Sequence, residues 1–221
     1  MNITKYLSIA GAAFVSGLTE RELNRVIDEM LVPDELVVQS NGGRSFSPLG
    51  IAFAKFYFRL APILSATTRK QIINQAYENF HVQGEGFNFL GEVVVGAKSW
   101  EISVDIVRVD IAPFVREVWS NLRLVDAAES SITQDDSVMS GRPVFKGTRL
   151  PVDLVVGVKE QSISIQEAQE AYPFLTKEQI EAAEVYLKLH PPRGRPRRLT
   201  EVNPKLKVLR PRAKSERNFD D

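Results

Sequence analysis

The chain has 221 residues, 43 % of them hydrophobic, enough for one large or two small domains with a proper core. It has no cysteine, which excludes disulfides and thiolate metal sites and fits the cytoplasm. Its 28 cations and 28 anions cancel, but unevenly: residues 1–60 carry 6 of each, 61–130 and 131–190 each carry 6 and 9, and 191–221 carry 10 and 4. A near-neutral to acidic body thus ends in a basic tail, an asymmetry that points to an acidic partner. No apolar run approaches the roughly 20 residues of a membrane span, so no membrane contact is expected. The start, Met1-Asn2-Ile3-Thr4-Lys5, lacks a signal-peptide apolar region.

Residues 1–62 read as a winged helix-turn-helix. Ser8 caps a short helix with the small residues Ala12 and Ala13, and Gly17 supplies the turn. Thr19-Glu20-Arg21-Glu22 is a capping box, in which hydroxyl and carboxylate satisfy orphan amides reciprocally. Behind it Leu23, Val26, Ile27 and Met30 fall on one apolar stripe, opposite Arg21, Asn24, Arg25 and Asp28, and Pro33 is expected to close the helix. Leu36-Val37-Val38, Asn41-Gly42-Gly43 and Arg44-Ser45-Phe46 predict strand, turn and strand. Ser47-Pro48 opens a helix whose stripe is Leu49, Ala52, Phe53, Phe56 and Leu60.

Leu23-x-Arg25 and Arg44-x-Phe46, in this order of elements, resemble the N-terminal domain of MerR-type regulators. The resemblance implies that Arg21, Asn24 and Arg25 face the major groove of operator DNA and that Arg44 touches phosphate. That family usually has a glycine after the second helix, where this chain has Met30-Leu31, so the helix exit must differ. The alternative is a small helical domain with solvated arginines, and the zero net charge of this segment favours that alternative.

Residues 63–130 predict a connecting or dimerisation segment of helix, β-hairpin and helix. Thr68-Arg69-Lys70-Gln71 reads as a capping box before a helix with Ile72, Ile73, Ala76 and Phe80 inward. Two strands, 92–95 and 99–109, follow; in the second, Trp100, Ile102, Val104 and Ile106 share the buried face. Asp110 caps a helix with the stripe Phe114, Val115, Val118, Trp119, Leu122 and Val125. His81 has no partner at ligand spacing, and Glu101, Asp105 and Asp110 fit a solvated face.

Residues 131–190 centre on the stretch from Gly141 to Val152. Its two glycines and two prolines predict a rigid double turn leading into a helix, with Lys146 and Arg149 held close to the backbone. It has neither the ending of a P-loop nor the rhythm of a dinucleotide fingerprint, and its plain alternative is a structural turn with solvated charges. Ser164-Ile165-Gln166-Glu167 and Thr176-Lys177-Glu178-Gln179 are further capping boxes, so three short helices in a homeodomain-like bundle are expected. The pattern Gly141-x-Pro143-x-Phe145-x-Gly147-Thr148-Arg149-Leu150-x-Val152 resembles a small bacterial domain found in antitoxins of VapBC-like toxin–antitoxin pairs. Tyr172-Pro173-x-Leu175-Thr176 and Ile180-x-Ala182-Ala183 carry the same resemblance. It implies autorepression of an operon and neutralisation of a PIN-like ribonuclease toxin.

Residues 191–221 form the basic extended tail. Pro192-Arg193-Gly194-Arg195-Pro196-Arg197-Arg198 resembles an AT-hook core, whose arginines favour a narrow A·T minor groove. Lys205-Leu206-Lys207-Val208-Leu209 alternates polar and apolar, the pattern of a strand added to another protein's sheet. With the antitoxin resemblance, Leu206, Val208 and Leu209 are the expected toxin anchors, and Arg210, Arg212, Lys214 and Arg217 the cations for its carboxylate cluster. The alternative is a disordered solubilising tail.

The fold class expected is α+β, mainly α with small β elements. Two histidines and the adjacent pair Asp135-Asp136 make no catalytic constellation, so no catalytic residue, metal or cofactor is assigned. The functional expectation is a cytoplasmic antitoxin, a homodimer by the two-fold logic of operators. A MerR-like, ligand-sensing regulator without a toxin is the alternative.

Overall fold

The computed structural model describes residues 6–40, 43–81, 100–155 and 176–190. Its class is α+β, mainly helical, with small antiparallel sheets among the described residues.

The front begins with strand β1 (Leu7–Ser8) and helix α1 (Ile9–Ser16), where the Ser8 hydroxyl accepts from the Gly11 amide at 3.3 Å. Gly17 ends α1 in the left-handed region, φ 68°, which glycine enters without steric cost. Helix α2 (Glu20–Asp28) carries the expected box: the Glu22 amide donates to Thr19 Oγ1 at 3.2 Å, and the Thr19 amide donates to Glu22 Oε2 at 2.8 Å.

The end of α2 departs from expectation. The helix stops well before Pro33, and Met30 is 68 % exposed rather than part of the buried stripe. The cause is a reversed last turn. The Leu31 amide donates to the Val26 carbonyl at 2.9 Å and the Met30 amide to that of Ile27 at 3.2 Å, the double bond of a Schellman cap. Met30 takes the left-handed position, φ 47°, that such a cap normally gives to glycine. The reversal turns Leu31 inward, where it is buried in the same core as Val26.

A single helical turn of the tighter kind (Asp34–Leu36) leads to β2 (Val37–Ser40) and β3 (Gly43–Phe46), which pair antiparallel with Gln39 opposite Arg44. β1 adds a third strand, Leu7 opposite Phe46, so the sheet order is β1-β3-β2. Ser47 caps α3 (Pro48–Arg59), accepting from the Gly50 amide at 3.1 Å. The expected stripe understates α3: every residue from Pro48 to Tyr57 is buried, Lys55 included, because α1, α2, α4 and α5 (below) surround it. Leu60, expected in the stripe, falls one residue past the helix end and is half-buried.

Helix α4 (Ala66–His81) starts three residues earlier than the Thr68 box predicts, because Ser65 is the cap; its hydroxyl accepts from the Thr68 amide at 3.1 Å. Ile72, Ile73 and Ala76 face the core as expected.

The long strand expected over 99–109 is instead a hairpin, β4 (Glu101–Val104) against β5 (Val107–Asp110). Asp105, φ 52°, reverses the chain; aspartate is one of the few residues tolerated in that region. Trp100 and Ile102 stay buried, but the reversal carries Ile106 off the buried face to the hairpin tip, 99 % exposed. The cap position of the next helix falls on Ile111, one residue after the expected Asp110, whose carboxylate still accepts from the Ala112 amide at 2.9 Å.

Helix α5 (Ala112–Ser131) is the spine of the described structure. Ala112, Val115, Val118, Leu122 and Val125 belong to the front core, while Ala128, on the last turns, belongs to a second core. That second core also holds Ile132 of β6 (Ile132–Thr133), Phe145 of β7 (Val144–Phe145), Leu150, Val152 and Val155. Helix α6 (Lys177–Leu189) adds Ile180, Ala183 and Tyr186 to it. α6 opens on its own capping box at Thr176 and packs against both α5 and α1, and its Leu189 enters the front core. Of the expected bundle in 131–190, residues 156–175 lie outside the described residues, as does the whole tail from 191. The strand expected over 92–95 also lies outside them. No helix among the described residues is long and apolar enough to cross a membrane.

Candidate functional site

Burying Leu23, Val26 and Ile27 forces the polar side of α2 outward, and β3 runs close enough to bring Arg44 against it. Arg44 Nη1 donates to Asn24 Oδ1 at 2.8 Å, and its Nη2 meets Asp28 Oδ1 at 2.7 Å. Asn24 is itself oriented, its amide nitrogen donating to the Glu20 carbonyl at 2.8 Å. Strand β3 and helix α2 therefore present one polar surface.

The four expected DNA-contact residues do not all meet on it. Asn24 and Arg44 do. Arg25 turns aside: its guanidinium lies 5.6 Å from the ring centre of Phe58 on α3 and pairs with Glu29 through bonds of 2.8 and 3.1 Å. This contact raises Arg25 and holds the Glu29 carboxyl below its ordinary range, chiefly through the hydrogen bond between them. Lys70 of α4 reaches over to the Glu29 carbonyl at 3.1 Å. Arg21 stands exposed on the first turn of α2.

Sequence reasoning placed Asp28 on this face without its pairing to Arg44, and missed Glu29 as the partner of Arg25. The four-residue spacing of Arg25 and Glu29 on one helix is a legible signal for the second pair. The first needs the β2–β3 hairpin to be folded against α2. Beside this surface lies a groove of about 520 Å³ lined by Met30, Val32, Val37, Gln39 and Arg44 among others.

The Gly141–Val152 stretch is a built turn. Val144 and Phe145 are buried as β7, Ile132 opposite Phe145 and Thr133 opposite Val144. The Thr148 amide donates to the Phe145 carbonyl at 3.0 Å with Gly147, φ 75°, in the third place, where a type II turn requires a positive φ. The Thr148 hydroxyl donates to the same carbonyl at 2.9 Å and accepts from the Leu150 amide at 3.1 Å. The Val152 amide donates to the Pro143 carbonyl at 3.0 Å, and residues 152–155 are helical, as the double turn predicts. Arg142 bridges to Asp153 at 2.6 Å, while Lys146 and Arg149 are exposed on either side of the turn. Most of the motif thus serves folding, and the two cations stand exposed beside it.

Of the adjacent acids Asp135 and Asp136, the first is bound into the local backbone. Asp135 accepts from the Ser137 hydroxyl at 2.7 Å and amide at 2.8 Å, bonds that hold its carboxyl below the usual range and make it a local turn. The expected toxin-contact residues Leu206, Val208, Leu209, Arg210, Arg212, Lys214 and Arg217 lie outside the described residues.

Residues 132–187 match a family described as Protein of unknown function (DUF433). The "Uncharacterized protein y4eO" of Sinorhizobium fredii (strain NBRC 101917 / NGR234) is 30 % identical over 195 residues, spanning 88 % of this chain and 86 % of that protein. No solved structure matches.

Proposed function

We propose that this chain, which belongs to one family with the y4eO protein of Sinorhizobium fredii and carries a DUF433 match in its second half, is an antitoxin. In this reading it has no catalysis of its own, represses its operon by DNA binding as a homodimer, and neutralises a PIN-like ribonuclease through its basic tail. The observation that favours the DNA-binding half is the bond from Arg44 to Asn24, which joins wing and second helix into one polar face. The exposed Lys146 and Arg149 offer a second place for phosphate.

The electrostatics shape how such binding works. Arg25 and Arg44 rest on carboxylates, so DNA phosphate exchanges for Glu29 and Asp28 instead of meeting bare cations. The affinity from this module is therefore modest. If Arg21, Arg25 and Arg44 all meet phosphate, the salt slope is at most about −3 per protomer in log K against log salt. Replacing Arg44 by alanine is expected to flatten the slope by about 0.9 per protomer, about 1.8 for the dimer, and to weaken binding to the chain's own promoter region. An unchanged slope would remove Arg44 from the interface.

For the tail, a PIN-like nuclease groups carboxylates around its metal, and an arginine delivered there competes with metal and with RNA phosphate. Deleting residues 199–221 is expected to abolish co-purification with the neighbouring gene's product and protection from it. Protection that survives the deletion refutes the tail as inhibitor. If no neighbouring frame encodes a PIN-like protein, the ligand-sensing regulator takes its place.

A further inference from the structure

Strand β2 lies at the edge of its sheet, with no neighbour on its outer side among the described residues. The Ser47 amide bonds the Leu36 carbonyl at 2.8 Å, flanking the pair of Val37 with Phe46, and ladder bonds of an antiparallel pair recur at every second residue. Val38 therefore bonds β3, while Val37 and Gln39 turn their backbone groups to the open edge. The Val37 amide is taken by the Asp34 carbonyl. The Gln39 amide and the carbonyls of Val37 and Gln39 remain exposed along the edge. Such an edge is a template for another strand unless something covers it.

The side chains of Val37 and Gln39 line the groove of about 520 Å³ together with Met30, Val32 and Asp34. Arg44 engages Asp28 and Arg25 engages Glu29, whereas the exposed Asp34 carboxylate has no partner among the described residues. An occupant that suits this edge offers backbone groups, apolar side chains at alternate positions and a cation.

The chain carries such a segment. Between Pro204 and Pro211, which bound a strand because they cannot donate to a ladder, stand Lys205-Leu206-Lys207-Val208-Leu209-Arg210. Leu206, Val208 and Arg210 share one face by the two-residue period. The segment is also within reach. His190, at the end of α6, lines one cavity with Leu7 and Ser8, so the last described residue sits beside β1, the opposite edge of the same sheet. Two strand spacings, about 10 Å, separate β1 from β2. Residues 191–204 can extend to about 45 Å.

We propose that residues 205–210 add to the open edge of β2 of the same chain as an antiparallel strand. Leu206 lies opposite Gln39 and exchanges both backbone bonds with it; Val208 lies opposite Val37 and donates to its carbonyl. Leu206 and Val208 then fill the groove against Met30, Val32 and Val37, and Arg210 meets Asp34. Lys205 and Lys207 fall on the other face, where their charge discourages a further strand. The docking closes the edge against pairing between molecules. It depends on neither a toxin nor DNA; a toxin that captures the tail has first to strip it from β2.

The test uses the full-length, nitrogen-15-labelled chain with a nitroxide on Lys207→Cys, the sole thiol in a chain without cysteine. The nitroxide is expected to broaden the amide signals of Val37, Val38 and Gln39 and to spare those of β7 in the second core. Two variants are expected to lose that broadening. Leu206→Asp with Val208→Asp leaves every residue of the front core as it is, and Gln39→Pro removes an amide that β3 does not use. The Gln39 amide is expected to exchange with solvent about tenfold more slowly in wild type than in the double aspartate variant. Nitroxide chains mixed with labelled chains that lack the nitroxide are expected to show no broadening. The proposal is overturned by no broadening, by broadening spread evenly over the chain, or by broadening that survives both variants. Equal Gln39 exchange with and without the two apolar residues overturns it too, as does broadening between chains, which makes the occupant a second copy.

Discussion

The cap of α2 supports the sharpest stability prediction. Met30 holds φ 47° with its side chain in solvent, 68 % exposed. An L-residue in the left-handed region costs about 1–2 kcal/mol. Glycine escapes that cost but loses about 0.5–1 kcal/mol through its freer unfolded chain. Met30→Gly is therefore expected to stabilise the fold by about 1 kcal/mol, or about 2–4 °C in melting temperature for a chain of this size. Met30→Ala separates the two contributions, because it keeps the strain and removes only exposed atoms, and is expected to change stability by less than about 0.5 kcal/mol. Both variants are read by urea titration of tryptophan fluorescence, since both tryptophans of the chain, Trp100 and Trp119, pack in the front core. A higher midpoint with unchanged slope for the glycine variant alone confirms the strained cap. If the glycine variant is no more stable than wild type, or the alanine variant loses more than about 1 kcal/mol, the reasoning fails.

Three further outcomes follow from packing. Lys55 Nζ sits 2.5 Å from Glu117 Oε1, with the lysine side chain 4 % exposed and the glutamate 57 %. Removing the exposed partner strands a buried ammonium, so Glu117→Gln is expected to cost about 3 kcal/mol in the same titration, while Lys55→Met stays within about 1 kcal/mol. A Cβ on Gly50 would lie 2.9 Å from the Leu36 carbonyl oxygen, backbone that cannot swing away, so Gly50→Ala is expected to cost about 2 kcal/mol and lower the melting temperature. At Gly147, φ 75°, nothing lies within 4 Å of such a Cβ; Gly147→Ala is expected to cost only the conformational strain, about 1–2 kcal/mol, measured by melting of the second core.

The local grammar of the chain was legible from sequence. A capping box closes within four residues, so Thr19 with Glu22 and Thr176 with Gln179 needed no tertiary information. Apolar spacing likewise placed Leu23, Val26 and Ile27 inward, and the glycines and prolines of the Gly141–Val152 stretch forecast its tight turn. Where two local signals competed, spacing alone misled. Alternation continued through Ile106 because it carries no record of a left-handed Asp105, and the stripe ran on to Met30 because a cap that normally calls for glycine was filled by methionine.

The candidate surface divides the same way. That Arg21, Asn24, Arg25 and Asp28 share the outer side of α2 follows from helical periodicity, a property of neighbours along the chain. That Arg44 then bonds Asn24 and Asp28 depends on contacts twenty and sixteen residues apart, which only the folded β2–β3 hairpin brings together. The burial of Lys55 and the passage of α5 from one core into the other belong to the same class. Sequence by itself determined the presence of the main helices, the boxes at Thr19 and Thr176 and the polar side of α2, since these energies are local. Tertiary structure alone decided which charges neutralise one another, because Coulomb and desolvation terms depend on distance through space rather than along the chain.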